Sequence, residues 1–273
     1  MLNIHYSVKK LFGKGYKHKL FIIPDEWNEL TGKQLIRIAE LLHSNLEEDI
    51  FYLKALQCLS NLSTLKFMLQ PLDAKVNCFE HLEWLQSNDN KELLTKQLLP
   101  KYNGLYGPTD ELGNLLMVEF HYTEIAYQNL ITTNEVQFLN ELVAIMYREP
   151  KKEYDHARNS EGDHRVSFTD NDIAYHAKKV AKWPLAVKQA ILMWYDGCRQ
   201  DLVNSYSTVY PASSTKKDDN YSAGLYQLIR SLAGENYGTI DKVEQLTVHT
   251  AHLELSCMIE DNVKLKEQLK TQP

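Results

Sequence analysis

The segment from 155 to 164 concentrates residue types that bind metal ions: Asp155, His156, Glu161, Asp163 and His164. Zinc hydrolases place two histidines at i and i+4 with a glutamate between them, and structural zinc sites favour paired Cys or His ligands. The segment has neither spacing. We therefore interpret "YDHARNSEGDHR" as an exposed loop that is dispensable or becomes ordered on a partner, and we predict no metal site there.

Two other groups contain residue types that bind metal ions. His249 and His252 lie three positions apart, so they share a face if the segment is helical, but the sequence places no acidic residue or third ligand beside them. Cys78 and His81 in "CFEH" have no matching second pair. The sequence predicts no metal and no cofactor at these positions.

Signatures of covalent catalysis and phosphate binding are also missing from the sequence. No serine occupies the G-x-S-x-G elbow, and no cysteine has a recognised catalytic neighbourhood. The segment "GKGYK" at 13–17 contains glycines and lysines, but it lacks the G-x-x-x-x-G-K-[ST] spacing of a phosphate-binding loop. Adjacent carboxylates such as Glu47 and Glu48 do not face one another on a helix. We predict no catalytic residue, and therefore a protein that is not an enzyme.

Two alternatives stay open because spacing cannot reveal a site built from distant residues. The first is an enzyme, whose most plausible polar members are Arg148, Asp163, His164 and Arg199. The second is a connector-type protein that contacts nucleic acid through a basic N-terminal ribbon. The lysines of that ribbon are Lys9, Lys10, Lys14, Lys17 and Lys19.

The composition is that of a folded globular protein. Hydrophobic residues make up 44% and charged residues 24% of the 273 residues, and the formal net charge of −6 disfavours nucleic acid as a general partner. Four cysteines, Cys58, Cys78, Cys198 and Cys257, are scattered, which is typical of reduced thiols in the cytoplasm. No apolar run approaches the roughly 20 residues that span a bilayer, so we expect no membrane insertion.

The apolar pattern predicts a mainly α fold, a multi-helix orthogonal bundle with a small N-terminal β-ribbon. The β-prone runs "IHYSV" and "HKLFII" flank two glycines, which suits a two-stranded ribbon over 1–23. Thr31 and Gln34 match a capping box that begins a helix. Candidate helices in the first half are 32–44, 48–58, 62–69, 79–86 and 90–97, with Pro71 as a helix breaker.

The second half contains longer helical segments between polar loops. Prolines and glycines at 100–114 predict a loop and a subdomain boundary, and Thr132 with Glu135 matches a second capping box. Further helices are expected over 118–131, 132–149, 169–183, 184–206, 221–234 and 246–270, with a bend and a short helical turn between the last two.

The longest apolar-periodic segment of this half is 184–206. On it we expect Trp194 and Leu192 to face the core and Cys198 to be a packed thiol.

The domain organisation that follows is an N-terminal ribbon (1–23), a helical subdomain (24–99) and a C-terminal helical domain (100–273). Exposed loops are expected near 151–168 and 211–220. The 16 tyrosines, many on helical segments, exceed the needs of a minimal core. Because a tyrosine has an apolar body and a polar tip, it suits core edges and protein interfaces. We expect most of them at core edges and some at an interface.

Four phrases of the chain resemble proteins of tailed-phage structural gene clusters. They are "IPDEWNELTGKQL" (23–35), "LNELVAIMYREPKK" (139–152), "AILMWYDGCRQDLVNSYSTVY" (190–210) and "YQLIRSLAGENYGTIDKVEQLTVHTAHLELSCMIEDN" (226–262). The last is similar to tail assembly chaperones, although many of these are shorter than this chain. The phrases cover about a third of the sequence and contain no diagnostic catalytic or metal motif.

The resemblance implies a helical, non-enzymatic protein that binds other phage structural or assembly proteins, with a homo-oligomer as a further alternative. It implies a location in the cytoplasm of the host cell or in the virion. The acidic balance, the tyrosines and the missing catalytic signatures agree with this expectation.

Overall fold

The computed structural model describes residues 1–9, 16–60, 62–86, 92–152, 163–210, 227, 229–234 and 237–271. Side chains are described for the same residues except 7–9, 16–19, 270 and 271. The fold is mainly α with a small N-terminal β-ribbon, which confirms the fold class expected from the sequence. Within the described segments, no helix is both long enough and apolar enough to cross a bilayer.

The chain divides into two compact units. The first unit contains Met1–Leu94 and Pro184–Met193, and the second contains Thr95–Trp183 and Trp194–Pro273. The long helix over 185–205 therefore contributes its first half to one unit and its second half to the other.

The first unit begins with a β-ribbon and continues through four helices. These elements are β1 (Leu2–Lys9), β2 (Tyr16–Ile23), α1 (Gly32–Leu42), α2 (Glu48–Leu59), α3 (Thr64–Met68) and α4 (Leu72–Val76). Short 3-10 turns cover Trp27–Glu29 and Phe79–Leu85.

The ribbon is antiparallel and pairs Leu2 with Ile23. Phe21 and Ile23 are buried on one face while Ile22 is exposed, as the period-two alternation of a strand requires. Tyr6 stacks on Phe21 with ring centroids 4.7 Å apart. The predicted ribbon is thus present, and aromatic packing fixes one of its faces.

The first helix begins at the predicted capping box. The Thr31 side chain accepts from the Gln34 amide, and the Gln34 side chain accepts from the Thr31 amide at 2.9 Å. Leu35, Ile38 and Ala39 are then buried at helical spacing. The capping and the apolar stripe expected from the sequence are both confirmed, because each is a local property of a few neighbouring residues.

Two local predictions in this unit were wrong. The predicted helix at 90–97 is not formed over its described residues 92–97, where the chain is irregular and enters the turn before the β-hairpin at 101–106. The stretch after Pro71, which is not among the predicted helices, forms α4. Pro71 separates α3 from α4, as a helix breaker does, and it occupies the N-cap of α4. A proline costs little there because the first amides of a helix have no intrahelical partner.

Within its described residues, the second unit contains a short β-hairpin and seven α-helical elements. These are β3 (Lys101–Tyr102), β4 (Leu105–Tyr106), α5 (Met117–Thr133), α6 (Val136–Met146), α7 (Ile173–Val180), α8 (Leu185–Ser205, from Trp194 onward), α9 (described over 229–232), α10 (Ile240–Glu244) and α11 (Val248–Thr271).

The loop predicted at 100–114 contains the hairpin of β3 and β4. Asn103 (φ 46°) and Gly104 (φ 83°) both adopt the left-handed conformation, as the two central residues of a type I′ hairpin turn do. A further 3-10 turn covers Asp110–Leu112. The glycines and prolines therefore indicated a turn correctly, but they did not reveal the paired strands beside it.

The second predicted capping box, Thr132 with Glu135, was wrong. The Thr132 and Thr133 hydroxyls donate to the carbonyls of Gln128 and Asn129 at 2.8 Å, inside the last turn of α5. Asn134 then ends the helix with φ 56°. A threonine can bond backward to the i−4 carbonyl as readily as it caps a following helix, so the spacing alone did not decide between the two.

The long helix α8 has the packing expected for Trp194 and Cys198. Trp194 is 1% exposed and donates from Nε1 to the Thr95 carbonyl at 3.0 Å, while Cys198 is buried. Leu192 is half-buried, so the prediction that it faces the core holds only in part. Pro184 immediately precedes the helix, close to its predicted place.

The end of the chain forms the predicted bend and short helix, α10, followed by α11. Backbone bonds from Met117 to the Leu246 carbonyl and from Val248 to the Leu115 carbonyl, both at 2.9 Å, tie the start of α11 to the start of α5. Gly234 follows α9 at φ 154°, a conformation that side chains disfavour. The expected loop at 211–220 lies outside the described residues.

Candidate functional site

A buried network of charges in the second unit combines residues from three parts of the chain. Glu119 lies in the first turn of α5, Arg148 follows the end of α6, and Asp163 and Arg165 lie in the described segment that begins at residue 163. Glu119, Arg148 and Arg165 are almost completely buried. Buried charges are normally paired, so the geometry of their partners decides what the cluster can do.

Glu119 is the carboxylate at the centre of this network. Its Oε1 accepts from Arg148 Nη2 at 2.5 Å, and its Oε2 accepts from Arg165 Nη2 at 3.0 Å. One carboxylate thus serves two guanidinium groups. Asp163 adds a second negative charge, with Oδ1 accepting from Arg165 Nε at 2.8 Å. Counting Glu119, Asp163, Arg148 and Arg165, the network is neutral.

The remaining donors of the two arginines bond to backbone carbonyls. Arg148 Nη1 donates to the Ile145 carbonyl at 2.8 Å, and Arg165 Nη1 donates to the Met146 carbonyl at 2.9 Å. These carbonyls belong to the last turn of α6, which has no intrahelical donors for them. The guanidinium groups therefore cap the C-terminus of α6, where positive charge is favourable.

The pKa shifts fit a structural network. Burial raises the pKa of Asp163, but the hydrogen bonds and the charge of Arg165 outweigh burial and leave that pKa below its ordinary value. Burial, with the nearby charge of Arg165, lowers the pKa of Arg148. A general base works best with a pKa near the operating pH, so an ionised and tightly paired Asp163 is poorly suited to proton transfer.

The network borders an open cleft of about 490 Å³. Its other polar lining residues include Lys151, Ser167, Gln245 and Thr247. Lys151 Nζ donates to the Asp163 carbonyl at 2.9 Å. The cleft wall is therefore built from groups that bond to one another, and its arrangement anchors the segment at 163–165 to α5 and α6.

The four residues that the enzyme alternative requires, Arg148, Asp163, His164 and Arg199, do not all lie in one site. Arg148 and Asp163 meet at 3.7 Å, whereas the His164 ring stacks on Tyr106. Arg199 belongs to a second buried cluster, where its Nε donates to Glu124 Oε1 at 2.9 Å. Two of the four thus share a site.

That second cluster also includes two tyrosines of α5 and α8. The Tyr195 hydroxyl donates to Glu124 Oε1 at 2.5 Å, and the Tyr127 hydroxyl donates to Asp196 at 2.7 Å. Burial raises the pKa of Glu124, against the opposing charge of Arg199. Tyr195 and Tyr147 are fully buried, Tyr175 is 59% exposed, and Tyr226 lies outside the described residues. The tyrosines are therefore divided between core and surface.

The residue groups for which the sequence predicted no metal site make other contacts where the structure describes them. Asp155, His156 and Glu161 lie outside the described residues. His249 Nε2 bonds to the Glu111 carbonyl at 2.6 Å, and Cys78 Sγ donates to the Ala74 carbonyl at 3.1 Å. Across the described part of the chain, no three His, Cys, Asp or Glu residues are grouped as metal ligands.

Sequence reasoning missed Glu119 and Arg165. The signal in the sequence was the position of the Glu119 carboxylate between two apolar residues, Met117 and Phe120, which are both buried in the structure. A charge on the buried face of a helix requires a partner. The partner itself could not be read from the sequence. The side chains of the basic ribbon at 9–19 lie outside the described residues, so the nucleic-acid alternative has no geometry to support it.

Five exposed apolar side chains of the first unit lie on or beside α3 and α4. Leu65, Met68, Leu69 and Leu72 are 64–71% exposed, and Val76 is 48% exposed. Large exposed apolar patches are unusual on monomeric proteins and commonly mark binding surfaces. We call these five residues the 65–76 surface.

Buried neighbours hold this surface in place. Phe67 is buried between the exposed positions, with the Lys75 ammonium 4.8 Å above its ring. Gln70, also buried, accepts from the Tyr6 hydroxyl at 2.7 Å and donates to the Lys66 carbonyl at 2.5 Å. The exposed residues are thus presented on an anchored framework.

Comparison of the chain with protein-family models, with curated proteins and with solved structures found no match.

Proposed function

We propose that this protein works by binding other proteins through the 65–76 surface, as a component of phage tail assembly or of the virion. The observation that carries the proposal is the exposure of five apolar side chains on a framework fixed by Phe67 and Gln70. Covering such side chains removes apolar area from water, at about 25 cal/mol per Å². The assignment to phage tails rests on the sequence resemblance described above.

The partner that fits this surface presents an apolar helical face. Leu65 and Met68 are three positions apart on α3, and Leu72 and Val76 are four positions apart on α4, so each short helix presents an apolar pair. An amphipathic helix, with apolar residues at i, i+3, i+4 and i+7, offers a matching apolar face. The charged neighbours of these pairs, Lys66 and Asp73, have opposite signs, so recognition would rest on apolar contact with a polar rim.

The hydrogen bonds between the charged residues of the cleft favour this proposal over the enzyme alternative. Arg148 and Arg165 donate to Glu119 and to the carbonyls at the end of α6, and Asp163 accepts from Arg165. A substrate would have to displace those bonds. No such displacement is needed for a partner at the 65–76 surface.

The experiment is affinity capture of the tagged chain from phage-infected host cells, with the captured proteins identified by mass spectrometry. We expect tape-measure, tube or connector proteins with the wild type and their loss with the triple variant Leu65→Ser, Met68→Ser, Leu69→Ser. The matched control is Ile131→Ser with Val136→Ser, because those apolar side chains are 64% and 50% exposed on the second unit.

The control variant should capture the same proteins as the wild type. Equal capture by the triple variant would reject the 65–76 surface as the docking site. Recovery of the chain alone, with a metabolite bound in the cleft beside Arg148, would instead support the enzyme alternative.

A further inference from the structure

Helix α11 carries an apolar seam with the spacing of a coiled coil. Residues separated alternately by four and three positions lie on one line of the helix. The seam consists of Ala251, Leu255, Met258, Asn262, Leu265 and Leu269. Written as heptads, Leu255, Asn262 and Leu269 occupy a positions, and Ala251, Met258 and Leu265 occupy d positions.

The seam changes from buried to exposed along the helix. Ala251 and Leu255 are covered by the second unit, being 0% and 2% exposed. Met258 is 38%, Leu265 56% and Leu269 60% exposed, and Asn262 between them is also exposed. The seam that packs on the chain's own core at Ala251 and Leu255 therefore continues into solvent, with Asn262 as the polar residue among its six positions.

We propose that a second copy of this chain covers the exposed part of the seam, from Met258 to Leu269, as a parallel two-stranded coiled coil. In that arrangement Asn262 lies opposite Asn262 of the partner subunit. A single asparagine at an a position costs stability but fixes register and favours two strands, because the two amides bond to each other only when the helices are aligned.

The charges beside the seam are complementary to a parallel copy. Asp261 occupies a g position and Lys266 the following e position. In a parallel pair each g residue faces the next e residue of the other helix, so Asp261 meets a lysine on both sides of the dimer. In an antiparallel pair, g residues would face g residues, which here are Glu254, Asp261 and Gln268. Like charges would then oppose each other.

The contact that Asp261 makes within its own helix does not prevent it from pairing with Lys266 of a second copy. Its Oδ1 lies 3.4 Å from Lys264 Nζ in the same helix, with side-chain exposures of 77% and 67%. Such an exposed pair contributes little and exchanges readily with another partner. The pairing of Asp261 with Lys266 and of Asn262 with Asn262 of the partner subunit favours a second copy of this chain. An unrelated apolar helix would need neither pairing.

The exposed seam is short, since an independent coiled coil usually needs at least about three heptads. We therefore expect reversible dimers that dissociate on dilution. This inference does not depend on the proposed function, because α11 and the 65–76 surface belong to different units.

Sedimentation velocity of the full chain over a range of concentrations tests the proposal. The wild type should shift from the chain mass of 31.7 kDa towards twice that mass as concentration rises. Leu265→Glu should remain at 31.7 kDa under the same conditions. Val263→Glu is the matched control, because Val263 is 50% exposed on the same turn but lies off the seam at a b position, and it should dimerise like the wild type.

A charge-reversal pair tests the register and the identity of the occupant. Asp261→Lys and Lys266→Glu each place like charges across the parallel pair, so each variant alone should dimerise less than the wild type. Mixed together they form a heterodimer with both pairs attractive, and association should return. A wild type that stays monomeric at all concentrations, or dimers that survive Leu265→Glu, would overturn the proposal, as would a mixture no stronger than its components.

Discussion

Arg165 and Glu119, 46 positions apart in the chain, are joined by a 3.0 Å hydrogen bond between Nη2 and Oε2, and both side chains are fully buried. The same carboxylate accepts from Arg148. These hydrogen bonds connect the start of α5, the end of α6 and the segment at 163–165. Their contribution should therefore appear as stability of the second unit.

Replacing Glu119 with Gln should strongly destabilise the protein. The neutral amide leaves two buried guanidinium groups with Asp163 as their nearest negative charge. Removing one partner of a buried ion pair typically costs about 3–5 kcal/mol. The change is measured as the loss of free energy of unfolding in urea, followed by circular dichroism.

Glu40→Gln is the control for the loss of a carboxylate. Glu40 pairs with Arg37 at 2.5 Å, but the two side chains are 53% and 64% exposed. Exposed pairs contribute about 0–1 kcal/mol, so this variant should unfold close to the wild type. Equal effects of the two substitutions would contradict a structural role for the buried network.

The features that the sequence predicted correctly are those that depend on neighbouring residues. The capping box of Thr31 and Gln34 and the short helix α10 need only local hydrogen bonds and spacing. The buried network could not be predicted, because Glu119 and Arg165 meet only after α5 and α6 have packed. Local spacing can also mislead, as the incorrectly predicted capping box at Thr132 shows. The Thr132 hydroxyl donates to the Gln128 carbonyl and does not cap the next helix.

His252 should make the protein less stable in acid. Its Nδ1 bonds to the Val248 carbonyl at 2.7 Å and must carry the proton, so Nε2 accepts from the Tyr210 hydroxyl at 2.6 Å. Burial lowers the pKa of His252 from 6.5 to about 4. The unfolded chain therefore binds a proton before the folded chain does, and the stability present above pH 6.5 declines as the pH falls towards 4.

The size of this effect follows from the pKa difference. A lowering from 6.5 to about 4 corresponds to a loss of about 3 kcal/mol at pH 4, at 1.36 kcal/mol per pKa unit. His252→Gln should flatten the profile of unfolding free energy between these pH values, although it also loses the ring contact with Phe120.

The four cysteines should differ in their reactivity with a thiol reagent. Cys257 is exposed, Cys198 and Cys78 are buried, and Cys58 is half-buried. Burial raises the pKa of Cys58 and of Cys78 to about 11, which reduces the reactive thiolate. A chromogenic disulfide reagent should label one thiol rapidly in the native protein and the other three on unfolding. Cys257→Ser should remove the rapid phase, and persistence of that phase would show that another cysteine is accessible.

Trp194→Ala should destabilise the second unit through the loss of packing and of a hydrogen bond. The indole is 1% exposed and its Nε1 donates to the Thr95 carbonyl, so truncation leaves a cavity and removes one of the hydrogen bonds that this carbonyl accepts. Truncation of a buried tryptophan costs about 3–5 kcal/mol. Tyr175→Ala is the aromatic control, because Tyr175 is 59% exposed, and it should melt close to the wild type. A Trp194→Ala variant that melts with the control would mean that Trp194 lies at the surface in solution, and α8 would then become a further candidate for partner binding.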